Sequence, residues 1–211
     1  MCTVSAILLC SVLSRTFFER EKMMPSIQPN DGAFGIWVLI FLTGIAHAVN
    51  SLFQHDDTPL VANWLYTYAF ATVGLWAPLF KKHKKFSFSV LFIASVLAVC
   101  SVVTDSLNHK AHYSLVRAFF HECGPDLLAG WLCVATLLNA ILMGVDMLDT
   151  PLSLFAVGIS FGIAAILLQR PLLPSAVVWA CFMQRTQSDV NLATQVVGVC
   201  STVIALYLRN M

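Results

Sequence analysis

With 211 residues, 58% of them hydrophobic and only 11% charged, and a mean hydropathy of +0.79, the chain is far too apolar for a soluble domain, in which about 25% of residues carry charge. A formal net charge of +1 gives no electrostatic basis for nucleic-acid binding, and no strand-like alternation points to a membrane barrel. The composition specifies an all-α, polytopic transmembrane helix bundle. Seven cysteines form no CxxC pair and mostly lie inside apolar runs, where they read as small packing residues rather than as disulfides or metal ligands.

The first apolar run, residues 3–14, is too short to span and is followed by Arg15, Glu19, Arg20, Glu21 and Lys22. No basic residue precedes it, so residues 1–24 are expected to be a retained interfacial segment rather than a cleaved signal. A polar link over 25–32 leads into a first span at about 33–53, which carries His47 and Asn50 on one face and is closed by His55, Asp56 and Asp57. A second span, about 60–80, stops at Lys81, Lys82, His83, Lys84 and Lys85, the densest basic run in the chain. The positive-inside rule places that run in the cytosol, or in the matrix or stroma of an organelle. Loops 54–59 and 105–124 then fall on the other side, in agreement with Asp56 and Asp57, and Arg170 falls there too.

The third span is expected at about 86–104, with a polar loop over 105–124 that holds His109, His112 and His121. Beside Glu122 and Cys123 these histidines offer a metal reading, but without an HExxH or a repeated pair they read as solvated side chains and no metal site is assigned. The fourth span, 125–144, carries no charge beyond Asp126 and has two faces at helical spacing. Ala129, Cys133, Thr136, Ala140 and Gly144 form a small-residue side for close packing, opposite Trp131, Ala135, Leu138 and Asn139. A fifth span, about 151–169, contains Gly158 and Gly162, a small-xxx-small pair that packs an internal neighbour or supports a homodimer. Pro171 and Pro174 break the next segment, leaving 175–184 as a short helix before a last span at about 190–208. Counting the short helix as a span gives seven crossings; counting it as re-entrant gives six.

Polar groups at depth either pair between helices or mark a ligand path. The candidates are His47 and Asn50 on the first span and Asp126 and Asn139 on the fourth. Imidazole suits iron, but no second intramembrane histidine is expected to pair with His47. The sequence offers no nucleophile–base pair, no phosphate loop and no clustered carboxylates inside the spans, so no enzymatic reaction is expected.

Three stretches carry a resemblance. The entry to the first span has Pro29, Phe34, Trp37 and Phe41 in the order Pro-x-x-x-x-Phe-x-x-Trp-x-x-x-Phe, the second span ends in Trp76-Ala77-Pro78-Leu79-Phe80, and the fourth contains Trp131, Ala135 and Asn139 at four-residue steps. In order and on separate spans, they resemble the TspO/MBR family of tryptophan-rich sensory proteins, which includes the translocator protein. Phe41 stands where that family has tyrosine, and residues 25–33 lack its second tryptophan. The resemblance implies a five-helix TspO-like core region over 25–145, followed by a C-terminal transmembrane extension over 151–211 as in longer bacterial relatives. It also implies a porphyrin, haem, sterol or other lipid-like ligand in an aromatic pocket, the candidates being Phe34, Trp37, Phe41, His47, Trp76, Trp131 and Asn139. Trp64 and Trp179 read instead as interfacial anchors or bundle packing. The expected surroundings are membrane lipids, with a homodimer through Gly158 and Gly162. A rival reading makes the chain an accessory subunit of a larger membrane complex, such as a respiratory, ATP synthase or photosynthetic assembly, that keeps the fold without the ligand.

Overall fold

A computed structural model describes residues 32, 35–53, 60–108, 114–145, 148–184 and 188–211. The expected interfacial segment 1–24 and Phe34, His109 and His112 lie outside the described residues. Seven helices follow one another: α1 Ile36–Phe53, α2 Leu60–Lys82, α3 Lys84–Asn108, α4 Cys123–Leu142, α5 Pro151–Leu168, α6 Ser175–Phe182 and α7 Asp189–Asn210. A short turn, Leu115–Arg117, and a π-helical turn, Ala118–Glu122, lead into α4. Four of the described stretches are long and apolar enough to cross a membrane: Lys85–Asn108, Ala118–Leu142, Pro151–Leu168 and Asp189–Asn210. The apolar part of α1, Ile36–Asn50, is shorter, and α2 is 23 residues long but diluted by Asn63, Thr67, Thr72, Pro78 and two lysines. The protein is an integral membrane helix bundle.

Local chemistry sets the helix ends. Pro151 opens α5 where its missing N–H costs no intrahelical bond, and the left-handed Gln169 (φ 54°) closes it. In α7 the Ser188 side chain accepts a hydrogen bond from the Asn191 amide, while Asp189 and Arg209 sit at the ends that the helix dipole favours for their charges. One correction to the expected loop follows. Helix α3 runs on to Asn108 and the π-turn begins at Ala118, so Asp105, His121 and Glu122 belong to helical elements packed into the bundle.

Small residues fix the packing. Helices α1 and α4 run antiparallel, and a Cβ on Gly124 would lie 2.6 Å from the Tyr66 hydroxyl and 3.3 Å from the Thr43 backbone. The α2–α3 hairpin is tied by Ser101 donating to the Ala62 carbonyl at 2.8 Å, and α3 meets α4 through Ser95 and Thr136 at 3.1 Å. Helices α5 and α7 run parallel: Gly158 abuts Thr194, Gly162 abuts Ser201 and Val197, and Arg209 donates to the Gln169 carbonyl at the far end. The face presented by the two glycines is thus filled by α7 of the same chain.

Between the parallel pair the chain must double back, and α6 lies on this return path. Thr202 donates to the Pro171 carbonyl at 2.9 Å, and Gly198 meets Pro174 and Val178, so α6 descends against α7. Its eight residues rise only about 12 Å, too little to cross a bilayer, so it is a buried half-length helix and not a seventh span. Leu173 and Ala176 close on Gly130, which joins the C-terminal helices to α4 within one hydrophobic cluster.

Candidate functional site

Two constellations occupy different places in the bundle. The first is a file of rings along α1, α2 and α4. Trp37 meets Trp131 edge-on at 6.4 Å between centroids and stacks on Phe41 at 5.5 Å; Phe41 faces Phe70 at 6.2 Å, and Phe70 faces Tyr66 at 5.0 Å. The file ends on His47, 5.1 Å from Tyr66. Trp37 and Trp131 are buried to within 3% of full cover, whereas Phe41 and Phe70 keep a partly open edge. Since Trp37 and His47 are ten residues apart on one helix, the file is about 15 Å long.

The structure therefore unites Trp37, Phe41, Trp131 and, at the far end, His47. Trp76 is buried near the opposite end of α2 against Phe80 at 5.3 Å, and its indole N–H has no hydrogen-bond partner. Asn139 lies two turns beyond Trp131 on α4, buried, with neither amide atom partnered. Trp64 is half exposed and stacks on Tyr68, and Trp179 lies 3.9 Å from where a Cβ on Gly35 would stand.

The second constellation is polar and gathers at the end where α3 stops and α4 begins. His47 Nδ1 donates to the Phe120 carbonyl at 3.2 Å, its Nε2 lies 2.9 Å from the Asn63 side-chain oxygen, and Asn50 donates to His121 Nε2 at 2.9 Å. Phe120 and His121 are brought there by the π-turn, in which the Cys123 N–H reaches the Ala118 carbonyl and the chain gains one residue relative to an α-turn. His47 and His121 rings stand at right angles, 6.2 Å apart, so the expectation of no second histidine near His47 is overturned. Together with Asn63, Tyr66, Ser101, Asp105 and Pro125 they line a cavity of about 10 Å³, room for roughly one water. The Tyr66 hydroxyl is buried without a hydrogen-bond partner.

Behind this cavity sits a charge network. Arg170 donates from Nη1 to Asp105, and from Nε and Nη2 to Asp126 Oδ1 at 3.1 and 2.7 Å. Arg209 grips both oxygens of Glu122 at 2.7 and 2.6 Å, and Arg117 adds a third contact at 3.3 Å. All but Arg117 are nearly fully buried. Two expectations are corrected here: carboxylates do cluster within the bundle, and Arg170 is an internal counter-ion rather than a charge in an outer loop. Asp126 pairs with Arg170, not with another polar group of the spans.

Sequence reasoning missed Asn63, Tyr66, Asp105, Glu122, Arg170 and Arg209. The available signal was Arg170 itself, a lone cation in a long apolar stretch, which obliges a buried acid somewhere in the chain. Among the described residues, no group of three or more His, Cys, Asp and Glu side chains is placed to hold a metal ion.

Compared with known proteins, residues 14–209 match the family model described as TSPO-like protein. No curated protein and no solved structure matches the chain.

Proposed function

The chain belongs to the TSPO-like protein family, and from that premise we propose that it binds a flat hydrophobic molecule, a tetrapyrrole or sterol-like ligand, between α1, α2 and α4. The observation that carries this reading is the ring file from Trp131 through Trp37, Phe41 and Phe70 to Tyr66. Indole and phenyl faces attract flat apolar ligands through dispersion and their quadrupoles, and sites between helices are common in bundles. The half-open Phe41 and Phe70 give such a ligand an approach from the lipid side, while Trp37 and Trp131 form a fixed back wall. Trp76 and Asn139, buried with unspent hydrogen-bonding groups, are the polar contacts assigned to the ligand on α2 and α4. The reading assigns binding and no reaction.

Titrating the purified protein with protoporphyrin tests it. Tryptophan fluorescence should be quenched saturably, and Trp131→Phe, which keeps most of the packing, should raise the dissociation constant by up to about tenfold. A titration that Trp131→Phe and Phe41→Ala both leave unchanged would remove the file from ligand binding. Absence of quenching, with co-purification in a large complex in mild detergent, would favour the accessory-subunit reading. We further propose that the Lys81 to Lys85 loop faces the cytosol, matrix or stroma.

A further inference from the structure

Helix α1 meets its two neighbours in different ways. Against α4 the backbones nearly touch: a Cβ on Gly124 would lie 3.3 Å from the Thr43 carbonyl carbon and 3.4 Å from the Gly44 nitrogen. Toward α2 the helix stands off, and what arrives at Gly44 is the far tip of two rings. The Tyr66 hydroxyl and Phe70 Cζ lie 3.1 and 3.2 Å from where a Cβ on Gly44 would stand. A full aromatic side chain therefore separates these two backbones, and rings close the seam between them.

The closure weakens along the seam. On α2, Asn63, Phe70 and Gly74 share one face at helical spacing. Asn63 meets His47 at 2.9 Å, and Phe70 rests on Gly44 and against Phe41 with one edge open. A Cβ on Gly74 would meet nothing within 4 Å among the described residues. Val38, Leu42 and Ile45 on α1 and Leu75 on α2 are exposed and apolar, so the seam faces lipid.

We propose that the α1–α2 seam is a lateral gate to the ring file. Phe70 is the gate, Gly44 the seat on which it closes, and the space at Gly74 the outer mouth for a flat hydrophobic ligand arriving through the bilayer. This inference rests on the ligand reading above and assigns the entry route of that same site. A ring swings between staggered χ1 positions without breaking a backbone hydrogen bond, whereas parting α1 from α4 would separate closely packed backbones. Phe70 and Gly74 therefore set the rate of exchange more than the affinity.

Stopped-flow quenching by protoporphyrin measures those rates, with the full chain in phosphatidylcholine vesicles and Trp64→Phe throughout to remove the exposed indole. Gly74→Leu enters open space, so the fold is kept even if a change at Phe70 disturbs it. It should slow association and dissociation together by several-fold, with little change in Kd. Phe70→Ala should speed association by several-fold. Lipids with brominated acyl chains add a readout that needs no ligand: Phe70→Ala should raise their quenching of the remaining tryptophans, and Gly74→Leu should lower it. Saturable binding whose association rate neither variant moves would overturn the gate and leave the ligand reading standing. So would a Phe70→Ala effect confined to dissociation, or bromolipid quenching that neither variant moves. A wild type that shows no saturable quenching would overturn both readings together.

Discussion

The ring file runs along α1, α2 and α4, the charge network gathers where α4 begins, and the two hold their helices by opposite means. Trp37, Phe41, Phe70 and Trp131 are joined by contacts between apolar surfaces that each contribute modestly and tolerate replacement by a similar shape. Arg170, Asp105, Asp126, Glu122 and Arg209 are joined by charge-assisted hydrogen bonds in a region of low dielectric, where the pairs are adequate together and any single member left alone is costly. The aromatic side can therefore vary and still fold; the ionic side is all or nothing. That contrast suits a bundle whose aromatic face can change while its C-terminal helices stay locked.

The largest expected effect comes from breaking the ionic side. Arg170→Leu leaves Asp105 and Asp126 buried without their shared cation and should lower stability by about 3–5 kcal/mol, read as loss of helical signal on titration with denaturing detergent. Replacing Arg170, Asp105 and Asp126 together by leucine, leucine and asparagine should recover most of that loss; failure to recover would show that the arginine does more than neutralise.

A smaller effect is expected at the parallel pair, α5, which leads to Arg170, and α7, which carries Arg209. Gly158→Ala places a methyl group 2.4 Å from Thr194, which must shift, and should cost about 1–3 kcal/mol in the same assay. Thr194→Ser removes the crowding methyl and should rescue the double variant.

The boundary between the two regions gives a test of opposite sign. The Tyr66 hydroxyl is buried and unpartnered, so Tyr66→Phe should be neutral or stabilising by about 1 kcal/mol. Asn63→Ala, one turn away, removes a partner of His47 and should destabilise by about 1–2 kcal/mol. The smallest effect belongs to Trp64→Ala on the exposed face of α2, expected within about 0.5 kcal/mol of wild type, with protoporphyrin quenching retained.

The aromatic region was legible in advance because its residues recur at helical spacing within single spans: Trp37 and Phe41 one turn apart, Trp131, Ala135 and Asn139 at successive turns. The same reasoning located all the long helices to within a few residues, since an unbroken apolar run is a local property. It failed at the polar end. Asp105 and Glu122 were assigned to a loop because polar residues interrupt the apolar run there, and nothing local says that Arg170, 44 positions from Asp126, will neutralise them. His121 was misread for the same reason, since its approach to His47 depends on a π-turn that no short-range pattern announces.

The sequence by itself determined an all-helical membrane protein, the approximate course of its long helices outside the polar stretch 105–124, and which faces could pack closely, because hydrophobicity, proline and glycine act over a few residues. Only the tertiary structure decided that Gly158 and Gly162 receive α7, that α6 turns back inside the bundle, and that three carboxylates share three arginines where α3 ends and α4 begins. Those outcomes depend on residues far apart in the chain meeting under a shared need to satisfy charge away from water, and that need is met only when the whole bundle closes.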